Sequence, residues 1–188
     1  MKISSGKFKG VNLLSPESKI RPTLIKVRQA IFNIIRPIIN NSIFIDLFAG
    51  TGAIGFEALS NGASKVYFIE KKNYKILQKN AEKLRVEKNY YEIIPKDFRT
   101  ALKILRRKNV FSDIIFADPP YNKGYIAQLL KNDIIKQIII PQGIFIIEIF
   151  KKERENIELF LNDWIIDDER RYGDIFILFF KLKENIHV

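Results

Sequence analysis

Hydrophobic and polar positions alternate along this chain in blocks. Short apolar runs recur at Ile43–Phe48, Lys65–Glu70, Tyr91–Lys96, Ser112–Ala117 and Gly143–Phe150. Their lengths and β-branched content predict strands. Between them lie segments with helical periodicity: Ala53–Ser60, Asn73–Arg85, Phe98–Arg107, Tyr125–Ile135 and Glu153–Leu161. Several strand runs are apolar throughout, which predicts a mostly parallel sheet covered on both faces. Trp164–Arg171 and Ile175–Lys183, joined by Tyr172-Gly173-Asp174, predict a closing hairpin and one antiparallel strand. Pro95 cannot donate to a ladder, so the third strand should lie at an edge.

The first 40 residues break this pattern. Ile3–Ser5 and Val11–Leu14 flank Gly6-Lys7-Phe8-Lys9-Gly10, which predicts a small hairpin with a basic tip. Ser15–Pro22 reads as a polar loop. Thr23 can cap a helix from Leu24 to about Arg36, with Val27, Ile31, Ile34 and Ile35 on one face and Pro37 ending it. The whole, 1–188, is expected to be a single domain: a basic extension over 1–40 and a core over 41–188. Its 188 residues suffice for one sizeable core.

Composition narrows the chemistry. There is no Cys, and His187 is the single His. Disulfides, thiolate zinc, a Cys nucleophile and a Ser-His-Asp triad are thereby set aside, and no metal site is expected. The net charge is +11, and residues 1–40 carry +7 of it through eight cations against Glu17. That placement points to an anionic partner. A second basic cluster, Arg99, Lys103, Arg106, Arg107 and Lys108, also fits a solvated helix face whose cations suit the dipole. No apolar leader or span is visible, so a soluble, cytoplasmic protein without membrane contact is expected.

Candidate chemistry gathers at the carboxyl ends of the strands. Gly50, Gly52 and Gly55 match G-x-G-x-x-G between a strand and a helix, and Glu70 ends the next strand where a ribose diol would sit. The fingerprint alone leaves nicotinamide and other adenosyl cofactors open. Asp46 shifts the balance. A buried acid beside this loop would repel a pyrophosphate but attract the ammonium and sulfonium of S-adenosylmethionine. Asp97 can accept from an adenine amine, and Phe98 can cover the ring. The fourth strand runs into Asp118-Pro119-Pro120-Tyr121. An acid, a stiffened carbonyl and an aromatic suit the task of holding a planar amine and its base.

Together these motifs resemble the class I S-adenosylmethionine methyltransferases that act on amines. Ile3-Ser4-Ser5-Gly6-Lys7-Phe8-Lys9-Gly10, Arg21-Pro22-Thr23, Val27–Asn33 and Asp46–Ala63 resemble the RsmD family of bacterial methyltransferases for guanine N2 in 16S ribosomal RNA. The resemblance implies a Rossmann-like α/β fold with a seven-stranded sheet in the order 3-2-1-4-5-7-6, strand 7 antiparallel. It implies that Asp46 and the loop Phe48, Ala49, Gly50, Thr51 and Gly52 line the methionine part of S-adenosylmethionine. Glu70 would take the ribose, Asp97 and Phe98 the adenine, and Asp118, Pro119, Pro120 and Tyr121 the target base. Lys7, Lys9, Arg21, Thr23 and Arg28 would contact RNA. The product would be S-adenosylhomocysteine, the partner 16S rRNA within the small subunit or an assembly intermediate, and the protein a monomer. Lys7 and Lys9 stand where the family tip is often Arg-rich. Competing readings are an adenine-N6 methyltransferase, for which little room remains for target recognition, a nicotinamide oxidoreductase, which leaves Asp46 and Asp118–Tyr121 unexplained, and a non-catalytic RNA-binding assembly factor on the same fold.

Overall fold

The structure is a computed structural model that describes residues 1–15 and 25–183. Most of the expected Ser15–Pro22 loop, with Arg21, the Thr23 cap and His187, lies outside the described residues. Seven strands form one sheet in the order β3-β2-β1-β4-β5-β7-β6. The edge position expected from Pro95 is therefore observed. Contacts cluster into two compact units, Met1–Ala101 and Leu102–Val188.

In the first unit, α1 (Ile25–Ile34) and α2 (Arg36–Ile39) replace the single expected helix. The break falls at Ile35. Pro37 does not end a helix but enters the first turn of α2, where its missing N–H costs nothing. The three strands β1 (Ile43–Asp46), β2 (Lys65–Ile69) and β3 (Tyr91–Ile94) pair in parallel. Their connections carry α3 (Ala53–Ser60) and α4 (Tyr74–Lys83). Phe44, Ile45, Val66, Phe68, Phe56 and Leu77 are fully buried and fill this core. On α4 a polar side chain joins them. Asn80 donates to Thr51 O (2.9 Å) and Leu14 O (3.0 Å) and accepts from Leu14 N (2.7 Å).

The expected N-terminal hairpin is reduced to one antiparallel bridge, Lys2 with Asn12. Its tip docks on the end of α3 instead of extending a ladder. Lys7 N donates to Ser60 O (2.8 Å) and Phe8 N to Ser60 Oγ (2.8 Å). Gly6 permits the approach: its φ is +72°, and a Cβ there would lie 1.8 Å from Ser60 O.

In the second unit, α5 (Phe98–Arg107), which begins in the first, leads into β4 (Ser112–Ala117), and β4 pairs in parallel with β5 (Ile139–Phe150). The expected helix over Tyr125–Ile135 is two, α6 (Tyr125–Leu130) and α7 (Asp133–Ile138). Asn132 separates them, because its side chain accepts from Ile134 N and Ile135 N and so starts a new helix. After the short α8 (Lys151–Arg154) and a 3-10 turn at Ile157–Phe160, β6 (Trp164–Tyr172) and β7 (Ile175–Leu182) form the antiparallel hairpin. β7 lies between β5 and β6, and Ile175–Phe180 are all buried. Trp164 closes this core, its ring tilted against Phe145 (5.5 Å) while its indole N–H donates to Leu130 O (2.8 Å). Among the described residues no helix is long and apolar enough to cross a membrane.

Candidate functional site

β1 delivers Asp46 to the start of the glycine loop, where its side chain is 1% exposed. Its Oδ2 accepts from Gly55 N (3.1 Å), and Phe48 N–H also donates to it. Burial and, to a lesser degree, the nearby Glu70 outweigh these donors and push its carboxyl up to about 7. A raised acid binds its proton more tightly in the folded state. The folded protein therefore loses stability from this group as pH rises from about 4 to about 7, amounting to about 4 kcal/mol. Asp46→Asn removes the titration. The stability gap between wild type and Asp46→Asn, read by denaturant melts at several pH values, should move against wild type by that amount across the window. A gap that does not change with pH would refute the assignment.

The loop after Asp46 is tied down at each turn. Ala49 N donates to Ile69 O (3.0 Å), Gly52 N to Ala49 O (2.7 Å) and Gly50 N to Glu70 Oε2 (2.9 Å). Gly52 has a φ of +83°, and a Cβ there would meet Leu77 Cδ2 at 2.4 Å and Phe56 Cε2 at 2.6 Å. A Cβ on Gly50 would meet nothing within 4 Å. The loop thus packs hard on its inner side and is open at Gly50. Thr51 and Ala49 are buried within it.

Glu70 is shared between two elements. One oxygen holds Gly50, while Oε1 accepts from Lys72 N (2.7 Å) and Asn73 N (2.9 Å) at the start of α4. Asp97 caps α5, accepting from Arg99 N (3.1 Å), Thr100 N (3.4 Å) and Thr100 Oγ1 (2.8 Å). The Thr100 hydroxyl, more than any other neighbour, holds this carboxyl below the usual range. Phe98 is buried, 5.4 Å from the half-buried Phe48 ring. Asp46, Phe48–Gly52, Glu70, Asp97 and Phe98 are thus all held in the first unit by backbone contacts, strand ends or this aromatic pair.

The second unit holds the other group. Asp118 follows β4, whose Ile114–Ala117 are buried, and is itself half-buried. Pro119 is buried and Pro120 exposed. The Tyr121 hydroxyl donates to Glu148 Oε1 on β5 (2.8 Å), and its ring lies 5.7 Å from Phe150. Asn122 N donates to Glu153 Oε1 (2.9 Å), whose other oxygen accepts from Phe150 N (3.3 Å). Two acids absent from the sequence reading therefore brace the turn. Glu148 had a usable signal: it interrupts the apolar run Ile144–Phe150 as Asp46 interrupts Ile43–Phe48.

The N-terminal cations divide. Lys7 and Lys9 are exposed, as an RNA contact requires. Arg28 is not: it is 0% exposed, its guanidinium 3.2 Å from the equally buried Glu57 and donating to Lys2 O. The expectation that Arg28 faces RNA is corrected, because its charge is already committed inside the core. Arg21 and Thr23 lie outside the described residues.

Known proteins extend these observations. The chain is 30% identical to "Ribosomal RNA small subunit methyltransferase D" of Haemophilus influenzae, over 98% of this chain and 94% of that one. The solved structure of Escherichia coli yhhF superposes with a TM-score of 0.82 at 24% identity, covering 97% of this chain and 98% of that one. A ribosomal protein L11 methylase from Lactobacillus delbrueckii subsp. bulgaricus shares the fold at TM-score 0.67 and 19% identity, covering 82% and 76%. The sheet order is that of class I methyltransferases. The family model described as Conserved hypothetical protein 95 matches residues 1–181, and with that coverage the chain belongs to this family, the RsmD family that its motifs resemble.

Proposed function

We propose that this protein transfers a methyl group from S-adenosylmethionine to the exocyclic N2 amine of a guanine in 16S ribosomal RNA. The observation that carries the reading is the Asp118-Pro119-Pro120-Tyr121 turn, braced by Tyr121–Glu148 and Asn122–Glu153. An exocyclic amine is a weak nucleophile because its lone pair is delocalised into the ring. The Asp118 carboxylate and the Pro119 carbonyl offer acceptors for both amine N–H groups, and the Tyr121 ring offers a stacking face. Fixing the amine this way directs its lone pair and leaves Asp118 ready to take the proton that methylation releases. The base must leave any helix to reach the turn.

The first unit fits the donor. A buried carboxylate held up at about 7 favours a cationic neighbour, which would let it ionise without its desolvation cost. S-adenosylmethionine, when bound, supplies an electrophilic methyl on a sulfonium next to an ammonium. Asp46 would hold the ammonium, the open side of the loop at Gly50 would admit the methionine part, Glu70 the ribose, and Asp97 with Phe98 the adenine. Relatives named as small-subunit ribosomal RNA methyltransferases support rRNA as the substrate. The exposed Lys7 and Lys9 would meet RNA phosphates. The substrate would be the small subunit or an assembly intermediate, met by a monomer in the cytoplasm.

The test is direct. Protein, labelled S-adenosylmethionine and small ribosomal subunits are incubated and the RNA is digested to nucleosides. Label in N2-methylguanosine is expected. Label in N6-methyladenosine would overturn the base assignment, and no label in RNA would overturn the substrate.

A further inference from the structure

We propose that the outward face of α5 is a second RNA-binding surface, remote from the Asp118 turn. It rests on the reading of RNA as substrate. Lys103, Arg106 and Arg107 line a groove of about 550 Å³ together with Ile134 at the start of α7. All three cations are exposed, while the inward residues Ala101, Leu102 and Leu105 are fully buried. Positions 103, 106 and 107 stand in i, i+3, i+4 relation, so their side chains are neighbours on one helix face, about 5–6 Å apart at Cβ.

No acid neutralises this cluster. Several other cations of the second unit are matched. Lys136 pairs with Asp133 (2.7 Å) and Asp163 (2.7 Å), Arg154 with Glu158 (2.5 Å) and Glu169 (3.0 Å), and Lys181 with Asp167 (2.9 Å). Among the described residues no carboxylate lies within 4 Å of Lys103, Arg106 or Arg107. From Phe98 to Ser112 the chain has five cations and no acid. The helix dipole favours cations in the last turn. It does not explain an acid-free face that curves into a groove.

An exposed aromatic follows α5 in the chain. Phe111, four residues beyond Arg107, is 56% exposed. An exposed phenylalanine four residues from a cluster of cations offers what single-stranded nucleic acid takes, phosphates on the cations and a base on the ring. β4 then separates Phe111 from Asp118 by its six residues, about 20 Å at 3.3 Å per residue. A nucleotide held here is not the one that carries the target amine. The surface therefore serves capture and register of a larger RNA, not chemistry.

The test uses the full chain and a small-subunit ribosomal RNA transcript, with binding followed by fluorescence anisotropy from 50 to about 300 mM salt. Lys103→Gln/Arg106→Gln/Arg107→Gln should weaken binding about tenfold or more and flatten the salt slope by roughly 2, as lost phosphate contacts require. Phe111→Ala should weaken it about tenfold with the slope unchanged. S-adenosylmethionine affinity and thermal midpoint should stay at wild-type values, and KM for RNA should rise at constant kcat. Unchanged RNA affinity and slope in the triple variant overturn the proposal. So does loss of binding confined to assembled subunits, which would place a ribosomal protein on the groove. The nucleoside assay separates the two readings: a variant with intact RNA affinity in a protein that still makes N2-methylguanosine sinks the surface and leaves the function standing.

Discussion

An Asp118→Ala variant is expected to lose methyl transfer by about 10³-fold while binding S-adenosylmethionine within about twofold of wild type. The asymmetry follows from where each group sits. Asp118 belongs to the turn after β4, whereas Asp46, the glycine loop, Glu70, Asp97 and Phe98 all belong to the first unit. Removing one well-placed electrostatic partner of a transition state costs on the order of 10²–10³ in rate. In the proposed role Asp118 also orients the amine, and loss of orientation would add to that figure. Asp118→Asn keeps the shape and one acceptor but puts an NH2 opposite a donor, so it should recover little. The measurement is single-turnover methylation of small subunits beside isothermal titration with the cofactor. Wild-type turnover in Asp118→Ala would end the role assignment. Equal loss of turnover and cofactor binding would place Asp118 in the cofactor site instead.

The contrast between Asp118 and Arg28 marks what a single sequence makes legible. Strand-end acids were visible because they interrupt apolar runs, and an apolar run is a burial statement. Asp46 and Asp118 could be placed at once at the ends of β1 and β4. Elements with local punctuation were equally visible. α3 ends at Asn61-Gly62, and α5 carries an unbroken apolar face at Ala101, Leu102 and Leu105, so pattern alone bounds both. The split of α6 from α7 was harder, because it turns on one side chain: Asn132 reads equally as a tolerated helical residue or as a cap. Arg28 was out of reach. A cation in a basic stretch reads as surface, and what buries it is Glu57, 29 positions away on α3. Asn80 is the same case, since its partners Leu14 and Thr51 come from distant segments. Long-range polar pairing leaves no period and no local composition to read.

That buried pair carries the second large expected effect. Glu57→Ala should destabilise the protein by about 3–5 kcal/mol, because it strands the Arg28 charge in the core. Burial already lowers the Arg28 guanidinium, and Glu57 is the charge that opposes this. Glu57 holds more than Arg28. Its oxygens accept from Ser4 N (2.9 Å), Ser4 Oγ (2.7 Å), Ser5 N (2.7 Å) and Ser5 Oγ (2.7 Å). It is the post to which the N-terminal arm is tied, and the arm brings Lys7 and Lys9 with it. For a chain of this size such a loss lowers Tm by about 10 °C. Arg28→Met paired with Glu57→Gln should be milder than either Arg28→Met or Glu57→Ala alone, since no charge is then left unpaired and Gln keeps an acceptor for the serines. Calorimetry of the three variants reads this coupling. RNA binding by the double variant at a temperature where it is folded then separates the arm's position from the fold's stability. If Glu57→Ala melts within about 1 °C of wild type, the pair is solvated in solution and the arm is held by other contacts.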